Sequence, residues 1–446
     1  MSVVPSTLSR AAAGVGFRPY ASEAPSLDAY DYIHEEWVAE GVVQGETYRT
    51  TLVVHRPRDA ARFSGTIVVE SLHVHGIAPI WLYTGEYIVR SGHAWVCATV
   101  QKTTLDMHVK GSNPERYADM HIAGPDSADF DPTLQLGSAE RMESFWSELE
   151  RRNSAASPIL AQVGEALRSP DGPFEGMVVR NVLAAGHSQT GSVLSYYMRD
   201  VHHVVRREDG SAIYDGLFPT GFPFDAYRNA GVPVIHVMSE GDVARPDFAF
   251  RGRYAGRSYR RDDSDESGDQ YRLYELAGVA HMGTRVAPYN DAALWTATFP
   301  DEPDMELGPR MNSLPHFELF GMALDHLVRW VDAGVVPPRA PRLELAADGY
   351  FVADDYGNTR GGVRCAQMDV PHSRYCANPL GADGRPTYIT VGVEVPFTAE
   401  QLRSIYGDRA AYLARFSARL DELVADGWFL AADASAAIAE ASAIEF

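Results

Sequence analysis

The stretch of sequence that decides the fold is Val182-Leu183-Ala184-Ala185-Gly186-His187-Ser188-Gln189-Thr190-Gly191-Ser192-Val193-Leu194. Its first four residues are small or apolar and predict a buried strand, and apolar residues from Val193 to about Met198 predict a helix. A sharp turn from strand to helix would hold Ser188 in a strained conformation with its hydroxyl exposed, which is the geometry of a nucleophile elbow. The stretch therefore predicts an α/β fold with a reactive serine at the end of one strand.

Small residues flank Ser188 because strand and helix have to pass close to each other at such a turn. Gly186 and Gly191 are two of them, whereas Thr190 stands where the motif usually has its final glycine. A serine at a strand–helix turn can equally be a helix cap without any catalytic role. Catalysis requires in addition a base and an orienting acid, normally in the chain order serine, acid, histidine.

The candidate base is His281. It follows a predicted strand at 271–276 and lies among small residues in the loop 277–283. The carboxyl ends of the strands are where an α/β sheet presents its ligand-facing side chains. The position is that of a catalytic histidine, although most of the 15 histidines of the chain must be ordinary surface or core residues.

The candidate acid follows the preceding predicted strand, at 233–238. Asp242 stands where such a carboxylate is expected, and Glu240, two residues earlier, is its rival. On an extended chain the two side chains would point to the same side, because side chains alternate with a period of two. The carboxylate would fix the tautomer of His281 and stabilise the imidazolium that forms during the reaction.

Two backbone donors are expected to form an oxyanion hole. One is the N–H of Gln189, directly after the serine, and the other comes from the loop around His73 and Val74. His73 and His75 could instead be metal ligands as an H-x-H pair, but no third ligand is signalled nearby. We therefore predict no metal and no cofactor.

The rest of the chain supplies the elements of a mostly parallel central sheet flanked by helices. The unit that repeats is strand–helix–strand, which implies parallel strands. Residues 102–140 have no clear period and are interpreted as a lid-like connection, and 251–270 as a solvated loop. The predicted strands are 48–55, 65–72, 94–101 and 214–220, in addition to the three above, and the predicted helices are 79–90, 141–168, 317–333 and 399–426.

Composition narrows the class of protein. The chain has 446 residues, of which 45% are hydrophobic, so a sizeable core is expected. Its formal net charge of −21 argues against nucleic acid or an anionic membrane surface as a partner. Neither a signal peptide nor a membrane-spanning stretch is evident, and three cysteines without metal-ligand spacing suit a reducing compartment. We expect a cytoplasmic protein with Cys97 in its core; Cys365 and Cys376 could in principle pair.

The sequence resembles the bacterial alpha/beta hydrolase domain-containing family, which is built around a G-x-S-Q-[ST] elbow. The resemblance covers nearly the whole chain. The residues that carry it are Val69-Glu70, Gly92–Val96, Gly186–Gly191, Tyr214–Gly216, Ser239–Val243, Leu276–His281, Gly357–Arg364 and Asp369–Pro371. It implies a carboxylic-ester hydrolase with a triad of Ser188, Asp242 or Glu240, and His281.

Two departures from the family pattern bear on the site. The family commonly has Trp and Asn in the loop after Glu70, where this chain has Ser71 and His73, and Ser is commoner than Thr at position 190. The first departure falls beside the predicted oxyanion hole. The resemblance therefore does not carry a substrate preference over to this chain.

Together these observations predict a single α/β-hydrolase domain over residues 20–446. Its core would span about 45–340, with a lid-like insertion at about 102–160 and an integral C-terminal segment, 341–446, packed on the core. The predicted activity is hydrolysis of a small-molecule ester with a small or medium acyl group. The alternatives are hydrolysis of amides or lactones or acyl transfer by the same triad, and a non-catalytic binding protein of hydrolase fold.

Overall fold

The computed structural model describes residues 1–19, 25–130, 139–222, 227–243, 259–283, 310–377 and 392–446, with the side chains of 139–143 and 310–311 excepted. Parts of the predicted lid-like stretch (131–138) and of the predicted loop (251–258) lie outside the described residues. The chain divides into two compact units. The first comprises Met1–His236, Gly256–Tyr271 and His326–Pro337, and the second comprises Val237–Ala255, Arg272–Asp325 and Pro338–Phe446.

The first unit begins with three antiparallel strands, which are β1 (Thr7–Arg10), β2 (Tyr32–Val43) and β3 (Glu46–Pro57). The turn between β2 and β3 consists of Gln44 and Gly45, both with positive φ, as a two-residue hairpin connection requires. The sequence analysis predicted β3 but not β2. It also placed the start of the domain after β1.

Parallel strands follow. The strand β4 (Thr66–Ser71) leads through α1 (Pro79–Arg90) to β5 (Ala94–Ala98), and β4 pairs in parallel with both β5 and β6 (Asn181–His187). This confirms the predicted strand–helix–strand unit. Every residue of β4 and β5 is buried, as expected for strands covered by helices on both faces.

The order of the strands in the main sheet is β1-β2-β3-β5-β4-β6-β7-β8-β9. The strand β7 (Gly216–Thr220) is parallel to β6, whereas β8 (Val234–Ser239) and β9 (Tyr271–Leu276) each begin in the first unit and end in the second. Seven strands of the first unit therefore form a sheet that is antiparallel at one edge and parallel where β5, β4, β6 and β7 meet. The predicted α/β-hydrolase architecture of sheet and flanking helices is confirmed.

The helices that accompany this sheet largely follow the predicted periods, although the predicted helical region 141–168 consists of two helices separated by a turn at 153–155. Thr103 and Thr104, in the predicted lid-like stretch, are buried in a helical turn, so its beginning belongs to the packed core. The helices are α2 (Lys102–Thr104, continued by a π-helical turn at Leu105–Lys110), α3 (Ala139–Arg152), α4 (Ala156–Ala166), α5 (Gln189–Asp200) and α6 (His316–Ala333). In the part of the chain that the structure describes, no helix has the length and apolarity needed to cross a membrane.

The second unit contains a small antiparallel sheet and most of the C-terminal segment. Its strands are β10 (Arg310–Met311), β11 (Ser373–Cys376) and β12 (Val393–Pro396), and its further helices are α7 (Ala366–Asp369), α8 (Ala399–Tyr406), α9 (Arg409–Ala425) and α10 (Ala434–Ser442). The aromatic ring of Trp428 packs on Tyr274 of β9, with ring centroids 5.3 Å apart. Within this unit the C-terminal segment therefore packs on a strand of the main sheet. The division into a single domain, core and lid stays a prediction.

The predicted helix 399–426 is wrong in one respect, because it consists of two helices. Gly407, with φ of 84°, ends α8, and the carboxylate of Asp408 accepts a hydrogen bond from the N–H of Ala411 at 2.8 Å to begin α9. Tyr406 and Tyr412, on either side of the break, belong to the same buried cluster. The apolar pattern of the sequence therefore runs through both helices.

Two further predictions require correction. The strand predicted at 94–101 is β5, which ends at Ala98 rather than at Gln101. The side chain of Gln101 has other partners, which are described below. In the predicted solvated loop, Arg261 is buried: its guanidinium pairs with Asp269 and lies 4.5 Å over the ring of Tyr271. Charge alone does not predict exposure when a carboxylate and an aromatic ring are available as partners. All three cysteines are reduced thiols, and Cys97 is buried in β5 as expected.

Candidate active site

Ser188 lies between β6 and α5 with φ of 56° and ψ of −123°. A positive φ is uncommon for a residue with a side chain and costs conformational energy. The strand end is held by the backbone, since the N–H of Ser188 donates to the carbonyl of Thr220 at the end of β7, 3.0 Å away. The turn thus has the backbone geometry of a nucleophile elbow.

The two glycines of the motif are required by close backbone approach. A Cβ added to Gly186 would lie 2.3 Å from the carbonyl oxygen of Thr190, and one added to Gly191 would lie 2.8 Å from that of Thr220. Neither obstacle is a movable side chain. The small residues at these positions therefore have the steric reason that the sequence analysis gave for them.

Thr190, the unusual residue of the motif, fits by bonding back to the strand. Its hydroxyl donates to the carbonyl of His187 and accepts from the N–H of the same residue, both at 2.9 Å. Such local side-chain bonds satisfy backbone groups that the sharp turn takes out of the ladder. A hydroxyl, rather than the absence of a side chain, stabilises this version of the turn.

In the second unit, His281 and Asp242 lie together. The Nδ1 of His281 donates to Oδ1 of Asp242, while Oδ2 of Asp242 accepts from the N–H and the hydroxyl of Ser239 at 3.0 and 2.6 Å. Both carboxylate oxygens are thus engaged, and both residues are buried. With Nδ1 as the donor, Nε2 is the basic atom of the neutral ring.

Glu240, the rival acid, accepts a hydrogen bond from the N–H of Gly278 at 2.7 Å. The expectation of an extended chain is wrong here, because Glu240–Asp242 form a 3₁₀ turn after β8. A turn with three residues per repeat separates the directions of the two carboxylates. The structure thus brings Asp242 to His281 and uses Glu240 to support the loop that carries His281.

That loop is fixed by its glycines and by an amide. Gly278 has φ of 72°, and its carbonyl accepts from Nδ2 of Asn312 at 2.7 Å. A Cβ at Gly241 would lie 2.8 Å from the backbone nitrogen of His281, so the turn and the loop pack backbone to backbone. The position of His281 is therefore set by the close approach of Gly241 and by the side chains that bond to Gly278.

His316, at the start of α6, lies within electrostatic reach of Asp242 and His281, which the sequence analysis did not anticipate. Burial lowers its pKa to about 3, a shift opposed by the charge of Asp242 and increased by His281. The ring is consequently neutral at physiological pH and adds no positive charge beside the Asp242–His281 pair. His316 is distant in sequence from Asp242 and His281, so the sequence alone did not indicate that the three residues interact.

The structure distinguishes the N–H of Gln189 from the other two predicted oxyanion donors, those of His73 and Val74. The N–H of Gln189 is the first of α5 and belongs to the amides of a helix start that have no intrahelical acceptor. The N–H of Val74, however, donates to the side-chain Oε1 of Gln189 at 3.0 Å, and that of His73 donates to the carbonyl of Ile77 at 2.9 Å. The expectation that these two amides face a substrate is corrected, because both donate within the protein.

His73 and His75, the H-x-H pair, contact each other within their loop. The N–H of His75 donates to Nδ1 of His73 at 3.1 Å, and the two rings stack with centroids 5.1 Å apart. Burial lowers the pKa of His75 to about 4. Over the residues that the structure describes, no group of three or more His, Cys, Asp or Glu side chains is arranged to hold a metal ion.

Comparisons with known proteins place the chain among the hydrolases. The family model described as "Alpha/beta hydrolase domain" matches residues 8–439. Solved structures that match part of the chain include a putative dienelactone hydrolase from Klebsiella pneumoniae subsp. pneumoniae MGH 78578 (11% identity, 60% of this chain and 99% of that one, TM-score 0.31) and Est1E from Butyrivibrio proteoclasticus (11%, 59% and 96%, 0.28).

A third similar structure is the glucuronoyl esterase from Solibacter usitatus, at 11% identity, with 60% of this chain and 81% of that one covered and a TM-score of 0.30. No curated protein matches the sequence significantly. The family model runs from β1 to α10 and includes the elbow at Ser188. The chain belongs to the alpha/beta hydrolase family.

Proposed function

We propose that this protein is a serine hydrolase that cleaves carboxylic esters with small or medium acyl groups. The observation that carries the proposal is the positive φ of Ser188 at the β6–α5 junction. Strained backbone conformations are concentrated at active sites, and at this junction the strained turn presents a serine hydroxyl at the carboxyl edge of a parallel sheet. The hydrogen-bonded Asp242–His281 pair is the second support, since a catalytic serine needs a base and an orienting acid.

In the proposed reaction, Oγ of Ser188 attacks the carbonyl carbon of the ester and Nε2 of His281 takes the hydroxyl proton. The oxyanion of the tetrahedral intermediate accepts a hydrogen bond from the N–H of Gln189. Collapse of the intermediate breaks the bond to the alcohol, which leaves with the proton from His281. A water molecule, deprotonated by Nε2 of His281, then attacks the acyl carbon. His281 returns this proton to Oγ of Ser188 as the acyl–oxygen bond breaks, which releases the carboxylic acid and restores the serine.

Asp242 has the orienting role in this proposal. Its hydrogen bond to Nδ1 of His281 leaves Nε2 as the base and stabilises the imidazolium of each transition state. A cytoplasmic location and the absence of nucleic-acid and membrane partners remain predictions from charge and cysteine content. The acid–base pair is the more specific support for a catalytic protein over a binding protein of the same fold.

Labelling with a fluorophosphonate tests the proposal. Intact-mass analysis of the wild type should give one adduct, and Ser188→Ala and His281→Ala should give none. Ser192→Ala is the matched control, because the Ser192 hydroxyl donates to the carbonyl of Gln189 within α5 and its loss should leave labelling intact. A p-nitrophenyl ester series from acetate to octanoate then measures acyl preference. A wild type with neither adduct nor turnover would overturn the proposed function.

A further inference from the structure

Two glutamine side chains, Gln101 and Gln189, form a reciprocal amide pair beside the nucleophile elbow. The Nε2 of Gln189 donates to Oε1 of Gln101 at 2.7 Å, and Nε2 of Gln101 donates back to Oε1 of Gln189 at 3.1 Å. Both residues are at most 1% exposed. Buried amides that are hydrogen-bonded through both their oxygen and their nitrogen have one preferred arrangement, since an amide flip would place oxygen against oxygen and nitrogen against nitrogen.

The pair also holds the loop that follows β4. The second hydrogen of the Gln101 amide donates to the carbonyl of Leu72 at 2.9 Å, and Oε1 of Gln189 accepts from the N–H of Val74 at 3.0 Å. The two glutamines therefore bind the loop at both a carbonyl and an N–H. They connect this loop, the segment after β5 and the first residue of α5 in one network.

We propose that the Gln101–Gln189 amide pair is a positioning device that fixes the Gln189 N–H and the Leu72–Val74 loop for the reaction at Ser188. The proposal rests on the proposed function, in which the Gln189 N–H binds the oxyanion. Donors to an oxyanion are effective when they are held in place before the reaction begins. Gln101 touches no reacting atom in this proposal and acts through Gln189.

Geometry explains why a side chain is needed for this task. Ser188 is strained, and the amide of Gln189 has no intrahelical acceptor to hold its direction. The Gln189 side chain, fixed by Gln101 and Val74, restrains the rotation of the peptide that precedes it. Without the pair, the helix start can relax toward lower strain, and the N–H leaves the direction in which an oxyanion forms.

The first experiment compares Gln101→Met with a matched control, Gln162→Met. The amide of Gln162 also links two elements of the first unit, accepting from the hydroxyl of Tyr48 at 2.9 Å and donating to the carbonyl of Val42 at 2.8 Å, away from the elbow. Gln101→Met should lower kcat about tenfold and change KM less than about twofold. This loss of kcat is smaller than that for removal of an oxyanion donor, because the Gln189 N–H is displaced and not removed. Gln162→Met should leave both constants unchanged. Unchanged kcat in Gln101→Met, or an equal loss in both variants, would overturn the proposal.

A second variant, Gln101→Glu, keeps the size of the side chain and gives a pH signature. The ionised carboxyl has no donor and places oxygen against Oε1 of Gln189, whereas the protonated carboxyl regains one donor. The ratio of the variant's kcat to that of the wild type should therefore rise as pH falls from 8 to 5.5, since every other ionisable group is common to both proteins. A ratio independent of pH would contradict the positioning role.

Hydrogen exchange separates failure of this proposal from failure of the proposed function. Peptides covering residues 72–78 should exchange faster in Gln101→Met than in the wild type and Gln162→Met, whether or not an ester is turned over. Unchanged exchange overturns the positioning by Gln101. Absence of turnover and of fluorophosphonate labelling in the wild type instead overturns the proposed function.

Discussion

Asp242 accepts a hydrogen bond from Nδ1 of His281 through one carboxylate oxygen and is fixed by the N–H and hydroxyl of Ser239 through the other. We expect Asp242→Asn to lower kcat for ester hydrolysis by about 10⁴-fold, because an amide donor at this position favours the tautomer of His281 in which Nε2 carries the hydrogen. Steady-state kinetics with p-nitrophenyl acetate measures the effect.

Glu240→Gln is the control for that substitution. Its Oε atom can still accept from the N–H of Gly278, so kcat should stay within about threefold of the wild type. The assignment of Asp242 as the orienting acid fails if the two variants exchange these results.

Gly186 should not tolerate a side chain. A Cβ there would meet the carbonyl oxygen of Thr190 at 2.3 Å, which is backbone and can move only if the elbow opens. Gly186→Ala should lower the free energy of unfolding by about 2 kcal/mol or more and abolish fluorophosphonate labelling. Gly111→Ala, where the added Cβ has no atom within 4 Å, is the control and should unfold at the same urea concentration as the wild type or a higher one.

The hydroxyl of Thr190 should contribute more to the free energy of unfolding than its methyl group does. Thr190→Val keeps the shape of the side chain and removes both hydrogen bonds to His187. The buried N–H and carbonyl of His187 then each lose a partner, which should lower the free energy of unfolding by about 1–3 kcal/mol. Thr190→Ser keeps the hydroxyl and should retain both stability and kcat. Equal stability of the two variants in urea would show that the hydroxyl does not support the turn.

His202 should make the protein less stable in acid. Its buried ring bonds to the carbonyl of Ala230 at 2.7 Å, and burial lowers its pKa to about 4 from an unfolded value of 6.5. The unfolded chain therefore binds the extra proton first, and stability is lost as pH falls from 6.5 toward 4. In urea titrations over this range, His202→Gln should depend less steeply on pH than the wild type. His121→Gln, an exposed histidine, should follow the wild type.

Glu70 should make the protein less stable as pH rises, in contrast to the effect of His202. It is fully buried, and burial raises its pKa to about 8 from 4.5, against the effect of hydrogen bonds from the N–H groups of Ile80 and Trp81 and from the indole of Trp95. The folded state holds the proton between these values, so its contribution to stability falls as pH rises from 4.5 to 8, by at most about 1.4 kcal/mol per unit.

Glu70→Gln cannot titrate, so its unfolding free energy should decline less than that of the wild type between pH 5 and 8. Asp171→Asn, at an exposed carboxyl, serves as the control and should retain the wild-type slope. Parallel curves for Glu70→Gln and the wild type would mean that Glu70 is already ionised across this range.

Local chemistry explains which predictions from sequence succeeded. The elbow could be predicted because strand, glycine spacing and helix all lie within Val182–Leu194, and the helix 79–90 because its period and its first proline are local. By contrast, β2 was missed because strand pairing involves residues elsewhere in the chain. The break at Gly407 was missed although its signals are local, because the apolar period that includes Tyr406 and Tyr412 runs across it.

The sequence by itself determined the family, the strained serine turn and the two candidate carboxylates, since each is written in a short run of residues. Only the tertiary structure decided that Asp242, and not Glu240, bonds to His281, and that Gln101 bonds to Gln189 across 88 positions of the chain. The physical reason is that hydrogen bonds are directional and short, so a 3₁₀ turn or the end of a distant strand selects the partner, whereas residue type and spacing give only the possibilities.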